Sequence, residues 1–301
     1  MNIFKASGKA VGVSICAMAA ASPLGAQGNF DQVEIKTEVL APGLAVLFGA
    51  GGNIAVSHGD DNTIMIDDQF APLSEKIEAA VADLGAQPVS FLVNTHWHYD
   101  HTGGNEHFGE AGATIFAHHN VRKRMVSGGP AAGQETPPAA AAALPIVTYD
   151  QGVRFHQNGD TIDLISLGGG HTDGDSIVIW RDANVVHMGD LYFNIASFPF
   201  VDVESGGNVY HLLNSLGLAQ AMMDDETQVI PGHGPMANKA DFTAYQVMVA
   251  ESVARVEALR QGGATLEEAI AAKPLEGFGR AGGFVGPDAF VTAIWSSMDA
   301  K

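Results

Sequence analysis

A run of metal-binding side chain types at residues 96–101 (HWHYDH) constrains this chain more than any other feature of its sequence. The run directly follows the apolar segment 89–94 (VSFLVN), which has the pattern of a buried strand. His96 and His98 are two residues apart, so in extended backbone their side chains point the same way. The four ligand-type side chains of the run cannot all reach one tetrahedral ion, whereas two ions a few ångströms apart can share them.

Three further residues of ligand type stand where predicted strands end, each with a neighbouring glycine. The predicted strands are 161–167, 184–188 and 228–230, and the residues that follow them are His171, Asp190 and His233. Glycine lets the backbone approach an ion closely, because it has no Cβ. The sequence therefore predicts that these three side chains complete the ligand set begun by the run.

Composition agrees with metal chemistry and excludes several classes of protein. Twelve histidines stand beside only 15 lysines and arginines. The formal charge of −19 argues against nucleic acid as a partner, because binding to phosphate backbones depends on clustered basic residues. With 46% hydrophobic and 16% charged residues, the chain has the composition of a folded protein rather than a disordered one. No long apolar run follows the N-terminal segment, which excludes a protein with several membrane spans.

Residues 1–26 have the pattern of a secretory signal peptide. Lys5 and Lys9 precede a short apolar stretch, and small residues follow it. The stretch is short for a transmembrane helix, and an uncleaved membrane anchor is the alternative. We therefore expect export to the periplasm, cleavage, and a mature chain of residues 27–301 without a membrane span. Since Cys16 lies in the signal, that mature chain would contain no cysteine.

The order of the predicted elements favours two similar halves, each a sheet with helices on its outer side. In the first half we predict strands and helices at 33–39, 44–48, 53–57, 63–67, 72–84 (helix), 89–94, 113–117 and 118–126 (helix). Segment 127–145, rich in Gly, Pro and Ala, is predicted to be a loop or small insertion. The second half has strands between 146 and 193 and at 228–230, with helices at 208–223, 238–260, from 265 and from 287. We predict one domain of class α/β (α+β), a four-layer αβ/βα sandwich.

The ordered set of motifs resembles the metallo-β-lactamase superfamily over about residues 33–240. Its elements occur in the family's order: Asp67 at a strand end, the run at 96–101, His171, Asp190 and His233. The resemblance implies a metallo-β-lactamase sandwich and two zinc ions. It implies a first ion bound by His96, His98 and His171, and a second bound by Asp100, His101 and His233. Asp190 would bridge the ions and Asp67 would orient ligands, although an ordinary turn is the alternative for Asp67.

The chemistry of such a site fits the hydrolysis of small molecules. Zinc lowers the pKa of bound water to about 7, so a hydroxide shared by two ions can attack a carbonyl at neutral pH. One ion would polarise the carbonyl oxygen, the other would steady the leaving group, and Asp100 would accept the proton of the hydroxide. We therefore expect a catalytic role for Asp100 and a small-molecule substrate.

The resemblance leaves the substrate open. The first hypothesis is an exported hydrolase of an amide or ester, with the β-lactam ring as one candidate, since the ligands match the histidine-rich arrangement of one lactamase subclass. Asp190 argues against a dedicated lactamase, because the residue resembles the bridging Asp of glyoxalase II. The second hypothesis is therefore a thioesterase or lactonase of glyoxalase II type, although segment 251–301 lacks a basic patch for a glutathione carboxylate. The third is an accessory protein associated with sulfur oxidation or quinoproteins, which uses the metal for redox chemistry or binding.

Two further features bear on the site. The loop 191–207 contains Phe193, Phe198, Pro199 and Phe200, which would either wall an apolar substrate or pack in the core. His118, at the end of a predicted strand, is the remaining histidine with the best position for a role in the site.

Overall fold

Two β-sheets packed face to face form the centre of the protein, and helices cover the outer face of each. The computed structural model describes residues 30–280 and 283–299, so the predicted signal peptide at 1–26 lies outside the described residues. No helix in the described part of the chain combines the length and the apolar character that crossing a bilayer needs. The predicted four-layer αβ/βα sandwich is confirmed.

The strands, in chain order, are Lys36–Ala41 (β1), Leu44–Phe48 (β2), Ile54–His58 (β3), Thr63–Ile66 (β4), Val89–Asn94 (β5), Thr114–His118 (β6), Gly129–Ala131 (β7), Gln134–Thr136 (β8), Val147–Tyr149 (β9), Gly152–Gln157 (β10), Asp160–Ile165 (β11), Ile177–Trp180 (β12), Val185–His187 (β13), Gln228–Ile230 (β14) and Ala237–Asn238 (β15). The helices are Ser74–Asp83 (α1), Tyr99–Thr102 (α2), Asn105–Glu110 (α3), His119–Ser127 (α4), Val209–Gln220 (α5), Lys239–Gln261 (α6), Leu266–Ala271 (α7) and Pro287–Asp299 (α8). Single 3₁₀ turns lie at Phe30–Gln32, Ala71–Leu73, Ala141–Ala143, Gly189–Leu191 and Val203–Ser205.

The pairing of the strands brings the functional loops to one edge of the sandwich. The first sheet has the order β1-β2-β3-β4-β5-β6-β9, and the second has the order β10-β11-β12-β13-β14-β15. In the first sheet β4, β5 and β6 are parallel neighbours, and in the second β13 and β14 are parallel. Since the carboxyl ends of parallel neighbours lie at the same edge, the loops after these strands emerge together.

Apolar side chains fill the three interfaces between the four layers. Residues of both sheets, among them Val46 of β2 and Trp180 of β12, form the central core. Ile77 of α1 packs on the outer face of the first sheet. Phe242 of α6 and Phe290 of α8 pack on the outer face of the second. Each sheet is thus shielded from water on both faces, which explains the nearly continuous apolar runs of its inner strands.

The structure differs from the predicted elements at several places; for example, the loop predicted after 89–94 contains the short helices α2 and α3. Segment 127–145, predicted to be a loop or small insertion, contains the short hairpin of β7 and β8. Strand β1 begins at Lys36 and not at 33, because Lys76 Nζ donates hydrogen bonds to the carbonyl oxygens preceding it, those of Phe30, Asp31 and Val33. Strand β11 ends at Ile165 and not at 167, since the chain then turns through glycines with positive φ at 168, 169 and 170.

The second sheet carries a cross-strand cluster of ion pairs around Asp163, and its effect on stability allows the fold to be tested. The Asp163 carboxylate on β11 accepts hydrogen bonds from Arg154 on β10, at 2.5 and 3.0 Å, and from Arg181, at 2.8 Å. The hydrogen bonds from Arg154, followed by those from Arg181, outweigh burial and hold the pKa of Asp163 below its usual range. The cluster therefore stabilises the folded state only while the carboxyl is ionised.

We expect Asp163→Asn to lower the free energy of unfolding by about 1–3 kcal/mol at neutral pH. Because the folded-state pKa lies below the unfolded value of about 3.9, the difference from wild type should be full above that value and vanish as the pH falls through the folded-state pKa. Urea unfolding across this range measures it, with the exposed Asp83→Asn as the matched control. A difference that does not change with pH would contradict the assignment.

Candidate metal centre

All seven side chains predicted as ligands lie together at the edge where the functional loops emerge. They form two groups, and within each group one ligand atom from every residue lies within 4.8 Å of the others. The first group is His96, His98, His171 and Asp190, and the second is Asp100, His101 and His233. The loops after β5, β11, β13 and β14 supply them, so both sheets contribute to the cluster.

The Asp190 carboxylate lies between the two groups. Its Oδ2 is 3.5 Å from His171 Nε2 and 3.8 Å from His96 Nε2. Its Oδ1 is 3.2 Å from His101 Nε2 and 3.4 Å from His233 Nε2. Each oxygen thus faces one group, which is the arrangement required of a carboxylate that bridges two metal ions.

The ring nitrogens of the histidines point towards one another, as ligands around an ion do. His171 Nε2 lies 2.9 Å from His98 Nδ1, and His101 Nε2 lies 3.3 Å from His233 Nε2. Within the described residues, the buried His96 Nε2 has no hydrogen-bond partner. A buried polar atom without a partner is costly unless something else satisfies it. The nitrogen and oxygen donors present therefore fit metal ions such as zinc.

The second ring nitrogen of several histidines is fixed by a hydrogen bond that orients the ring. His171 Nδ1 donates to Phe200 O at 2.7 Å, and His98 Nε2 donates to Asp202 Oδ2 at 2.8 Å. His101 Nδ1 donates to Asp67 Oδ2 at 2.7 Å. Such acceptors set the tautomer and turn the other nitrogen into the site.

Asp67 lies where an orienting acceptor would have to lie. It has a φ of +61°, an uncommon value for an aspartate, and follows β4 directly. Thr95 holds it there, because its backbone N–H donates to Oδ1 at 2.7 Å and its hydroxyl donates to Oδ2 at 2.8 Å. Since the Thr95 hydroxyl proton is committed to Asp67, the oxygen can accept from His96 Nδ1, 3.0 Å away.

Asp202 is the site residue that the sequence analysis missed. The buried Oδ2 accepts from three donors: His98 Nε2, Ser205 Oγ at 2.5 Å and the backbone N–H of Ala132 at 2.9 Å. The hydrogen bond from His98 is the largest of the contributions that lower its pKa, and together they outweigh burial. The available signal was an aspartate between valines in an apolar stretch, since a buried carboxylate needs partners.

Carboxylates give the second group a potential that favours cations. Burial alone would lower the pKa of His233, but Asp190 and Asp100 outweigh it and raise that pKa to about 9. The pKa of His101 is raised for the same reason. Although burial by itself would raise the pKa of Asp100, the imidazoles of His101 and His233 hold it at about 2. A potential that stabilises a protonated imidazole also stabilises a metal ion at the same place.

In the first group burial dominates. It lowers the pKa of His171 to about 4 and the pKa of His96 well below its usual value. Both imidazoles are therefore neutral at pH 7, the state in which a histidine can bind a metal ion.

The cluster forms the floor of a pocket of about 570 Å³. Phe193, Pro199 and Phe200 of the loop 191–207 line it, as does Tyr99. Phe198 is buried instead in the core and stacks on Phe290, so the loop serves both purposes considered for it. His118 belongs to neither ligand group, because its Nδ1 accepts the backbone N–H of Asn120 at the start of α4.

Comparison with known proteins agrees with this geometry. The family model described as "Metallo-beta-lactamase superfamily" matches residues 49–233. The chain belongs to the metallo-β-lactamase superfamily. The match begins in the loop before β3 and ends at His233, so it includes every predicted ligand.

Individual relatives are distant. A hydroxyacylglutathione hydrolase of Polaromonas sp. is 29% identical over 173 residues, which cover 57% of this chain and 59% of the relative. A metallo-beta-lactamase from Pontibacter korlensis has a TM-score of 0.62 at 16% identity and covers 72% of this chain and 99% of its own. The stereoselective inverting sec-alkylsulfatase Pisa1 from Pseudomonas sp. has a TM-score of 0.68 at 17% identity, covering 87% of this chain and 50% of its own. The two solved structures share the fold of this chain.

The proposed bridging position of Asp190 can be tested by a substitution at Gly232, which packs against the Asp190 carboxylate. A Cβ on residue 232 would overlap Asp190 Oδ1 and lie 2.6 Å from Gly189 O. We expect Gly232→Ala to displace the carboxylate and to weaken metal binding roughly tenfold or more, as the loss of ligand-supporting contacts does elsewhere. Metal content after dialysis against a zinc buffer measures the effect.

The matched control is Gly217→Ala in α5. A Cβ there meets only Gln246 Nε2, at 3.6 Å. Alanine also favours a helix over glycine, so this variant should fold and bind metal as the wild type does. Equal metal content in both variants would mean that Asp190 does not hold the ions.

Proposed function

We propose that the protein is a dinuclear zinc hydrolase that cleaves the carbonyl group of an ester, thioester or amide. The observation that carries the proposal is the Asp190 carboxylate, which turns one oxygen to each of two groups of imidazole and carboxylate ligands at the floor of one pocket. Imidazole and carboxylate donors without cysteine suit zinc.

The proposed ligands divide as the two groups do. One ion would be held by His96, His98 and His171, the other by Asp100, His101 and His233, and both by Asp190. Two zinc ions held there would supply Lewis acidity for the carbonyl oxygen and would acidify the attacking water. Asp67 and Asp202 would keep His101 and His98 in their orientations through the hydrogen bonds described above.

Asp100 is the group placed to move a proton. Its side chain is 20% exposed, against 5% for Asp190, and it lines the pocket. The imidazoles of His101 and His233 outweigh burial and lower the pKa of Asp100, so its carboxylate is ionised at neutral pH. We propose that Asp100 accepts the proton of the attacking water and passes it to the leaving group.

Esters and thioesters are the favoured substrates. The curated relative of Polaromonas sp. is a hydroxyacylglutathione hydrolase, and an aspartate occupies the bridging position here. A β-lactam is the second candidate, because the terminal ligands are five histidines and one aspartate without cysteine. A redox or accessory role is the third candidate. Because zinc has no redox chemistry, a redox role would require another metal such as iron, so the identity of the metal bound on purification separates that role from hydrolysis.

The substrate class can be tested with the zinc-loaded chain and a panel of a thioester, a lactone, an aryl ester and the chromogenic β-lactam nitrocefin. We expect ester or thioester turnover with a kcat/KM of about 10⁴ M⁻¹s⁻¹ or more, abolished by a chelator. His98→Ala and His233→Ala should each lower kcat/KM by roughly a thousandfold and reduce bound zinc. The exposed His156→Ala on β10 is the matched control.

Either of two outcomes would contradict this assignment. Full activity of the His98 and His233 variants would remove those residues from the site. Faster turnover of nitrocefin than of any ester or thioester would make the β-lactam the preferred substrate.

We also propose that residues 1–26 direct export to the periplasm and are then removed. The two lysines ahead of a short apolar stretch support this. Expression in a Gram-negative host with osmotic-shock fractionation should release a shortened chain that begins near residue 27, as read by intact-mass measurement. A full-length chain that stays with the membrane fraction would indicate an anchor.

A further inference from the structure

Above the ligand cluster, the wall of the pocket is apolar. Phe193, Ile195 and Phe200 line it on one side, and Val285, Ala289 and Ala293 line it on the other. Neither lysine nor arginine is among the described residues that line this pocket. The ionisable side chains at its floor, those of His98, Asp100, Asp190 and His233, all belong to the ligand cluster. Apart from the neutral side chains of Tyr99 and Gln134, the distal part of a substrate would therefore meet mainly hydrocarbon.

One side of this wall comes from a part of the chain outside the family match. The match ends at residue 233, whereas Phe284, Val285, Ala289 and Ala293 come from α8 and the segment before it. The matched segment thus supplies every predicted ligand but only part of the distal wall. Differences in the segment after residue 233 can change the substrate without changing the chemistry.

Hydrogen bonds hold the two sides of the wall together. Phe198 N donates to Val285 O at 3.1 Å, and Val285 N donates to Ser197 Oγ at 2.8 Å. Arg280 donates to the carbonyl oxygens of Ile195 and Ser197, at 2.7 and 2.8 Å. Its guanidinium is thereby committed to the backbone and is not directed into the pocket. The apolar surface is therefore preformed rather than dependent on a loop closing.

The mouth of the pocket exposes large apolar side chains that a ligand would cover. Phe284 is 49% exposed and Ile195 is 37% exposed, and both line the pocket. The ring of Phe284 lies 5.4 Å from that of Phe200, edge to face, so the exposed surface continues into the interior. A continuous apolar surface that runs from the mouth to a polar floor is typical of a binding groove.

We propose that the pocket binds a neutral ester, thioester or lactone through an extended apolar acyl or alkyl chain, and that it selects against substrates with a second anionic group. This inference rests on the proposed hydrolase function and adds its substrate class. An apolar chain gains free energy for each methylene that leaves water. A distal carboxylate would lose its hydration without gaining a cationic partner. The described residues of the wall offer no lysine or arginine to a glutathione carboxylate, which supports a neutral substrate over a glutathione thioester.

The test is a series of p-nitrophenyl esters from acetate to decanoate with the zinc-loaded chain. We expect kcat/KM to rise roughly threefold per added methylene until the pocket is filled. A matched ester whose chain ends in a carboxylate should react roughly tenfold or more slowly than its neutral counterpart. A flat series, or equal rates for the neutral and anionic esters, would overturn the inference.

Two variants test whether the acyl chain of the ester lies in this pocket. Ala289→Phe places a ring on the wall, and Phe284→Ser removes the exposed aromatic at the mouth. Each should lower kcat/KM for decanoate roughly tenfold while changing that for acetate less than about twofold. Ala244→Phe, the same change at an exposed position of α6, is the matched control and should affect neither. Equal losses of kcat/KM for acetate and decanoate would mean that the long acyl chain does not bind along this wall.

Direct binding separates this inference from the proposed function. If the zinc-loaded protein hydrolyses none of the esters, the proposed function fails. Calorimetry with 1-decanol and 1-butanol then still measures whether the wall binds an apolar chain. We expect decanol to bind at least about tenfold more tightly than butanol, and Ala289→Phe to abolish the difference. Failure of decanol to bind would overturn the inference whether or not any ester is cleaved.

Discussion

The candidate site depends on the electrostatic interactions among buried histidine and aspartate side chains, which lie close together at one edge of the two sheets. Asp190 lies at the centre of this arrangement, with one oxygen directed to each group of histidines. In the second group its charge and that of Asp100 favour a cation, whereas in the first group burial keeps His96 and His171 neutral. The charges and neutral imidazoles of the cluster thus favour the binding of positive ions. Gly52 and Gly232 fit the same constraint, since a Cβ at either would overlap a side chain of the cluster.

The fold meets this constraint by distributing the cluster over loops that the sheets hold rigidly. Strands β4 and β5 of one sheet and β13 and β14 of the other end at the same edge, so distant parts of the sequence meet there. Acids that are not themselves in the ligand groups then fix the rings: Asp67 fixes His101, and Asp202 fixes His98. Asp202 also accepts the backbone N–H of Ala132, in the turn between β7 and β8, and so ties the hairpin to the cluster.

Much of the fold and of the candidate site could be predicted because their signals are local. Apolar runs such as 89–94 predict strands, and ligand-type residues at strand ends predicted the seven side chains that the structure brings together, although metal binding by them stays a prediction. Asp202 was missed because its role depends on a contact with His98 that is 104 residues away in sequence. The contribution of α8 to the pocket was missed for a similar reason. Its apolar periodicity predicts a packed helix, but Ala289 and Ala293 carry no mark that distinguishes a pocket wall from a core.

The division between cluster and wall explains why family membership and substrate are separate questions in this protein. Residues 49–233 contain every predicted ligand, and the hydrolysis proposed for them needs only a carbonyl and a water. One side of the distal wall comes from residues after that segment, and the described residues of the pocket include no lysine or arginine. Among the described residues, the cationic groups that a distal carboxylate of a substrate could reach in this pocket belong to the ligand cluster. The selection that we propose for a neutral, apolar chain rests on this placement of charge at the floor and hydrocarbon on the wall.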